Sequence, residues 1–432
     1  METANMKIKS IFKSLLIFGL AILTVFQVSQ LWFVNITDRN FFLYVQAMLA
    51  TGAPDGHDAF VRPFRIVYGA GDGYFNMRLS DISETEAWKY GEPMITAILS
   101  NGHFVAQTPI DRERLLSRQI FLYEYAFAMN AEIFTQAFGQ RTSLALTGHG
   151  IENFYKIAIH PPSDDTSNLI AFFIDDDYAW EFSLPYHRAE RIDIAPTPQD
   201  DLHFVPINSP NIGFAPVRPQ GFRYHPISVA NPYQSAFGSL HLSSVGAGIE
   251  PFFSNPATIN QRPGTDGVYT FSNLNTMVRY LVNDVLEYTS FRPIGTTASS
   301  NFINDFSAAY AFVNADPHVV NEIFLAGYDS SRGREHVFLF SYIIDDFPIV
   351  LTEPWFTGPN CQDPLLTSIE VVVDNGRVVR YRRLAYNFHV IENLIFAFDT
   401  AVEAIVDLDS PFTLGFPISR DETMLELEML GG

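Results

Sequence analysis

The sequence SIEVVVDNGRVVRYRRLAY, at residues 368–386, carries the strongest folding signal in the chain. Two runs rich in valine, isoleucine and tyrosine lie on either side of Asn375 and Gly376. An Asn-Gly pair suits the positive backbone φ angles of a type I′ turn, which joins two neighbouring antiparallel strands. We therefore predict a β-hairpin with strands at 368–375 and 377–386.

The segments around this hairpin alternate between helical and strand patterns. A helix is predicted at 301–315, strands at 336–344 and 347–351, and a closing helix at 390–406. A weaker copy of this plan lies upstream, and its predicted elements are a helix at 238–250 and strands at 267–271, 276–280 and 284–291. Helices followed by antiparallel hairpins indicate an α+β fold.

The first half of the chain also mixes the two patterns. Ser83 and Glu86 have the spacing of a capping box, so a helix is predicted at 83–100. Asn130 is predicted to cap a short helix that follows a strand. The predicted strands of this half are 119–129, 154–160, 169–174 and 178–184, and a further helix is predicted at 38–51.

An apolar run near the N-terminus predicts a membrane anchor. Lys7, Lys9 and Lys13 precede the run SLLIFGLAILTVFQVSQLWFV at residues 14–34. Its 21 residues suffice to cross a hydrocarbon core of about 30 Å. The basic residues place the N-terminus in the cytoplasm by the positive-inside rule. A cleaved signal peptide is the competing interpretation, but no small-x-small cleavage pattern follows the run.

These patterns predict a single-pass protein of the cell membrane whose bulk is extracellular. The fold class is α+β, with one N-terminal transmembrane helix followed by a multi-domain extracytoplasmic region whose last two domains each combine a helix with antiparallel hairpins. The predicted segments are a cytoplasmic tail at 1–13, the anchor at 14–34, an N-terminal α+β domain at 35–194, a proline-rich boundary or linker at 195–235, a central α+β domain at 236–293 and a C-terminal α+β domain at 294–432.

Polar and small residues inside the anchor are the candidate interaction residues. Gln27 and Gln30 are three apart and hence share one helical face, and Gly19 lies on that face two turns before Gln27. Glycine lets two helices approach closely, and amide side chains bond across the pair. In the alternative interpretation, Gln27, Ser29 and Gln30 only lie in the outer headgroup region.

The composition excludes several classes of function. The chain has 432 residues, with 27 Lys and Arg against 48 Asp and Glu, so its formal net charge is −21. A surface this acidic repels phosphates, which excludes nucleic-acid binding as the main function. The single cysteine, Cys361, excludes an intrachain disulfide and thiolate zinc fingers.

The sequence predicts no catalytic residue, no cofactor and no metal site. It contains no nucleophile elbow, phosphate-binding loop or zinc-protease motif. Asp175, Asp176 and Asp177 are interpreted as an exposed turn rather than a calcium loop, because they lack the twelve-residue ligand spacing. His149, His160 and His187 are too scattered to predict a metal site. A wall- or solute-binding module and, less favoured, a cell-wall hydrolase stay open as alternative functions.

The order of these features resembles the YycH family of membrane-anchored accessory proteins, which accompany the WalK–WalR two-component system of Gram-positive bacteria. The stretches that carry the resemblance are the Lys-flanked anchor ending in SQLWF, then FYKIAIH, IAFFIDDDYAWEFSL, FFSNP, DGVYTF, DVLEYTSF, FLFSYIIDDFPIVL and IEVVVDNGRVVRYRRLAY. The last two resemble the region that YycH shares with its relative YycI.

The resemblance implies a regulator without catalysis that acts in cell-wall homeostasis. Such a protein contacts a WalK-like sensor histidine kinase together with a YycI-like membrane protein, partly through its transmembrane helix. The scarcity of lysine and the proline-rich stretch at 195–235 depart from that family.

Overall fold

A computed structural model gives the architecture of the larger part of the chain. It describes residues 56–69, 75–78, 82, 85–111, 114–115, 118–139, 146–162, 167–185, 202–206, 216–217, 222–234, 242–253, 255–263, 268–281, 283–291, 301–330, 334–345, 347–352, 365–398, 412–418, 424–425 and 428–431. The predicted anchor at 14–34 and the predicted helix at 38–51 lie outside these residues. None of the described helices is both long enough and apolar enough to cross a membrane.

Five α-helices occur in the described part of the chain. They are α1 (Gly56–Val61), α2 (Glu86–Asn101), α3 (Ala131–Ala137), α4 (Leu242–Ile249) and α5 (Phe302–Asn314).

The strands far outnumber the helices. They are β1 (Arg65–Gly69), β2 (Phe75–Arg78), β3 (His103–Pro109), β4 (Ile120–Asn130), β5 (Asn153–His160), β6 (Asn168–Ile174), β7 (Tyr178–Pro185), β8 (Leu202–Pro206), β9 (Pro216–Val217), β10 (Phe222–Tyr224), β11 (Ile227–Ala230), β12 (Asn260–Pro263), β13 (Tyr269–Ser272), β14 (Thr276–Leu281), β15 (Val285–Ser290), β16 (Glu322–Asp329), β17 (Glu335–Ile344), β18 (Phe347–Leu351), β19 (Ile369–Asp374), β20 (Arg377–Leu384), β21 (Asn387–Val390), β22 (Phe396–Phe398), β23 (Phe412–Ile418), β24 (Met424–Leu425) and β25 (Glu428–Gly431).

The first sheet is antiparallel and contains nine strands in the order β3-β7-β6-β5-β4-β1-β2-β8-β9. Helix α2 packs on it through its apolar stripe, and the Trp88 ring lies 5.7 Å from the Tyr123 ring of β4. Gly91 makes this approach possible, because a Cβ at that position would lie 1.7 Å from the Tyr123 hydroxyl oxygen.

The helix predicted at 83–100 is observed, but its capping residue differs from the prediction. Helix α2 begins at Glu86, and the Thr85 hydroxyl caps it by accepting a hydrogen bond from the Trp88 amide at 3.2 Å. The predicted capping box of Ser83 and Glu86 is therefore wrong, because Thr85 supplies the acceptor two residues later.

Asn130 caps α3 as predicted. Its side-chain oxygen accepts hydrogen bonds from the amides of Glu132 and Ile133, each at 3.1 Å. The helix follows directly from β4, and its buried Phe134 packs edge-on against Tyr125 of that strand at 5.8 Å. One residue therefore ends a strand and starts a helix.

The second sheet has eleven strands in the order β12-β13-β14-β15-β20-β19-β17-β18-β23-β25, with β16 also paired to β17. Its pairs are antiparallel except for β18 with β23. The Asn375–Gly376 turn between β19 and β20 has φ angles of 51° and 75°, as a type I′ turn requires. The predicted hairpin is confirmed.

Helix α5 covers one face of the second sheet, and Asn301 caps it by accepting from the Ile303 amide at 3.0 Å. Strand β15 pairs with β20 from Val285 opposite Leu384 to Thr289 opposite Arg380. The predicted central region at 236–293 and the C-terminal region at 294–432 thus contribute strands to the same sheet.

The closing helix predicted at 390–406 is wrong for its described residues. Strand β21 pairs with β11, and β22 pairs with β10, so the proline-rich segment and the C-terminal segment form two small sheets. The Leu394 carbonyl lies 2.8 Å from His225 Nδ1. These long-range hydrogen bonds satisfy the backbone and override the helical spacing of the apolar side chains.

Aromatic side chains join the two large sheets. Phe60 of α1 packs edge-on against Phe302 and Phe306 of α5, at 5.5 Å and 5.2 Å between ring centroids. Phe64 and Phe324 make a second contact at 4.7 Å. The protein is therefore an α+β fold in which strands dominate, and this part of the fold prediction is confirmed.

Candidate functional site

A buried arginine lies at the centre of the second sheet. Arg383 of β20 is 0% exposed, and its Nε donates to Asp316 Oδ2 at 2.7 Å. Asp316 follows α5 and also accepts a hydrogen bond from the Tyr381 hydroxyl at 2.9 Å. The remaining guanidinium nitrogens donate to the Tyr233 hydroxyl at 2.9 Å and to the Leu384 carbonyl at 3.0 Å.

Arg383 and Asp316 form a buried ion pair at the centre of this group. Burial alone would lower the pKa of the Arg383 guanidinium, but Asp316 and the neighbouring tyrosines raise it well above its usual range. Burial raises the pKa of the Tyr381 hydroxyl, and Asp316 raises it further. The Arg383 guanidinium and the Tyr381 hydroxyl therefore keep their protons at neutral pH, which suits a structural role rather than proton transfer.

The hydrogen-bonded group of Arg383, Asp316, Tyr381 and Tyr233, which we call the Arg383 joint, links distant segments of the chain. Tyr233 follows β11, in the predicted proline-rich boundary, and its ring lies 5.2 Å from that of His318. Tyr280 and Tyr386 extend the network by donating hydrogen bonds to the two carboxylate oxygens of Asp284. The network therefore holds segment 222–234 against the second sheet.

The opposite face of this sheet carries a row of alternating charges. Arg279, Glu287, Arg382 and Glu370 lie opposite one another on β14, β15, β20 and β19. Arg382 donates to both oxygens of Glu370, at 3.1 Å and 2.6 Å, and Arg279 bonds to Glu287. Each charge meets its opposite on the next strand, so the row stabilises strand register.

A third ionic group lies within the first sheet. Glu124 of β4 is buried and bonds to Arg65 of β1, and Lys156 Nζ of β5 lies 2.9 Å from its other oxygen. Burial would raise the pKa of Glu124, but the two cations outweigh it and lower the pKa. The carboxylate is thus held ionised between two strands.

The residues singled out by the sequence lie in different settings. Gly19, Gln27 and Gln30 fall outside the described residues. Asp175 forms the predicted turn, since its Oδ1 accepts from the amides of Asp177 and Tyr178 at 2.8 Å and 2.6 Å. No group of three potential ligands for a metal ion occurs among the described residues.

Of the three scattered histidines, the two that the structure describes have different neighbours. His149 stacks on Phe104 at 4.4 Å, whereas His160 is buried and its Nε2 lies 2.8 Å from the Leu115 carbonyl. His187 falls outside the described residues.

The candidate functional site is the open edge of the first sheet, formed by β3. This strand is hydrogen-bonded only to β7 among the described strands. The register shifts between Phe104 and Ala106, which leaves Val105 as an extra residue in a bulge. Val105 is 52% exposed and Phe104 is 37% exposed. An exposed strand edge with apolar side chains is suited to receive an extended segment of another protein.

Aromatic side chains pack against Phe104 at this edge. Phe104 packs between His149 and the buried Phe182, whose ring centroid lies 5.7 Å away. Tyr178, which is 43% exposed, lies opposite Pro109 at the other end of the strand pair. The edge therefore presents backbone groups and apolar side chains together.

Sequence reasoning missed this edge. The sequence HFVAQTP at 103–109 alternates weakly, and its position at the margin of the sheet depends on pairing with β7, whose paired residues lie 69 to 80 residues further along the chain. The ionic joint was missed as well, although Arg382 and Arg383, two adjacent arginines in a predicted strand, are an unusual pattern.

Comparisons with known proteins gave no relative. No protein-family model, no curated protein and no solved structure matches the chain.

Proposed function

We propose that the protein is a non-catalytic, membrane-anchored regulator of a WalK-like sensor histidine kinase. It acts outside the cytoplasm through protein–protein contacts, together with a YycI-like membrane protein. In this proposal residues 1–13 are a cytoplasmic tail, residues 14–34 form one transmembrane helix, and residues 35–432 are a multi-domain extracytoplasmic region. The order of sequence features that resembles the YycH family supports the choice of partner.

The observation that carries the proposal is the open edge at β3. Its exposed backbone and the side chains of Phe104 and Val105 suit strand addition by a partner protein. The ionisable groups of Arg383, Glu370 and Glu124 are meanwhile committed to internal ion pairs. The polar interior therefore serves the fold, and the exposed edge offers the contact.

Substitution at Val105 tests the proposal. The full chain and the kinase are solubilised together from membranes, and the kinase recovered with the chain is measured. We expect Val105→Lys to reduce recovery several-fold, because a lysine on an edge strand opposes the approach of a further strand. Val105→Thr keeps a β-branched side chain and is the matched control, so its recovery should equal that of the wild type.

Two results would contradict the proposal in different ways. Equal recovery with Val105→Lys and Val105→Thr would exclude the β3 edge as the contact. Failure of the wild-type chain to recover any kinase would exclude the kinase as partner. Unfolding temperatures of both variants should match the wild type, since Val105 is largely exposed.

A further inference from the structure

A second exposed apolar feature lies at one corner of the second sheet. The turn between β13 and β14 places Leu274 at its tip, where the side chain is 96% exposed. Phe291, just after β15, is 54% exposed, and its amide donates to the Asn275 carbonyl at 2.8 Å. Two large apolar side chains therefore project from adjacent positions.

The corner is also free of charge. We name it the neutral tip and define it by residues 255–261, 271–277 and 289–291, which contain no Asp, Glu, Lys or Arg. The nearest charges along the chain are those of Arg262 and Arg292, each one residue beyond these ranges, and those of Arg279 and Glu287, which are paired with each other. In a chain with a net charge of −21, a corner without charged residues that exposes two large apolar side chains stands out.

The neutral tip lies at the same end of the second sheet as helix α1. Thr289 lies opposite Arg380, so β15 runs towards the Asn375–Gly376 turn. The Gly376 amide donates to Asp305 Oδ1 of α5 at 2.6 Å. Phe302 of the same helix contacts Phe60 of α1.

We propose that the neutral tip inserts into the membrane–water interface on the extracytoplasmic side of the cell membrane, with Leu274 and Phe291 as the inserted side chains. This inference rests on the membrane anchor of the proposed function, because residues 35–55 connect the predicted anchor to α1. The position of the tip and its lack of charged residues favour lipid, rather than a protein, as its partner. The tip shares its end of the sheet with α1, and the acidic body of the protein is repelled from anionic headgroups while the tip is not.

The affinity of the tip alone is small, and the anchor compensates for this. Burying one leucine or phenylalanine side chain favours the inserted state by roughly tenfold to a hundredfold. A transmembrane tether raises the local concentration of lipid around the tip, so even this modest preference suffices. The contact would fix the orientation of the extracytoplasmic region relative to the membrane.

Spin labelling of the full chain in vesicles of phosphatidylcholine and anionic phosphatidylglycerol tests the inference. In a Cys361→Ser background, a nitroxide is attached at Leu274→Cys and its accessibilities to oxygen and to a water-soluble nickel complex are compared. Leu366→Cys is the matched control, because Leu366 is 56% exposed and lies at the opposite end of the same sheet, before β19. We expect the oxygen-to-nickel ratio at position 274 to exceed that at 366 several-fold, and Phe291→Ser to lower it.

A third label, at Leu23→Cys in the predicted anchor, separates the possible failures. Lipid exposure at 23 with aqueous exposure at 274 would overturn the tip inference and leave the anchor standing. Aqueous exposure at 23 would overturn the anchor of the proposed function and the tip inference with it. Shielding of position 274 from both reagents would indicate a protein contact, which also contradicts insertion into lipid.

Discussion

At the scale of single residues, the Arg383–Asp316 pair is the most consequential interaction in the second sheet. Both side chains are fully buried, and together with Tyr381 and Tyr233 they join three separate segments of the chain. Removal of one member of a buried ion pair leaves the other charge without compensation in a medium of low dielectric constant. The pair therefore stabilises the fold mainly through what its loss would cost.

We expect Asp316→Asn to lower the free energy of unfolding by about 3–5 kcal/mol, measured by chemical denaturation. Arg380→Met is the matched control. The Arg380 side chain is 29% exposed where it meets Glu370, so its loss should cost less than about 1 kcal/mol. Equal effects of the two substitutions would contradict the special role assigned to Arg383.

Two histidines make stability depend on pH in a defined direction. Burial lowers the pKa of His160, and nearby arginines lower it further; burial and Arg383 likewise lower the pKa of His318. The unfolded chain then binds protons more readily than the folded chain. The stability that these two histidines contribute in their neutral forms is therefore fully present above the ordinary histidine pKa of 6.5, and it is lost as the pH falls below that value.

Replacement of His160 checks this pH dependence. His160→Gln retains a group that donates to the Leu115 carbonyl but removes the titration. We expect the free energy of unfolding of this variant to fall less steeply with acidification than that of the wild type. Each tenfold difference in proton affinity between the two states corresponds to about 1.4 kcal/mol. Parallel pH profiles would show that His160 does not contribute.

At the scale of elements, the sequence predicted best where a local interaction determines the conformation. Asn130 and Asn301 cap their helices through their own side chains, and Asn375 with Gly376 forms the turn that its φ angles require. Each of these features depends on neighbours within three residues. A single sequence contains all the information needed for them.

Prediction failed where distant pairing decides the structure. Residues 390–398 have apolar side chains at helical spacing, but β21 and β22 form hydrogen bonds with strands more than 150 residues upstream. Strand β16 was not predicted at all, although it pairs with β17 over its whole length. The β3 edge and the Arg383 joint were missed for the same reason, because their partners are remote in sequence.

The predicted anchor is the element that links the fold to the proposed function. We expect exchange of residues 14–34 for an unrelated single-pass anchor to leave the exterior folded while weakening recovery of the kinase. Gln27→Leu with Gln30→Leu should do the same in milder form, because a helix–helix coupling of about 1 kcal/mol changes a complex population several-fold. Full recovery with the exchanged anchor would show that the segment is only a tether.

At the scale of the whole molecule, the two large β-sheets are joined through α1 and α5. The proposed orientation places the acidic body of the protein outside the membrane, with its β3 edge open to a partner. A C-terminal reporter enzyme that is active only outside the cytoplasm should therefore be active when fused to the full chain. The mature N-terminus should stay near Met1. A shortened form free of the membrane as the main species would contradict this topology.

The most direct test of the central claim is the signalling output of the kinase itself. The phosphorylated fraction of its response regulator is measured in cells that lack this chain, and again after restoration with the wild type or with Val105→Lys. We predict that loss of the chain changes the phosphorylated fraction, that the wild type restores it, and that Val105→Lys restores it incompletely at equal protein level. An unchanged phosphorylated fraction in cells without the chain would contradict its role as a regulator of the kinase.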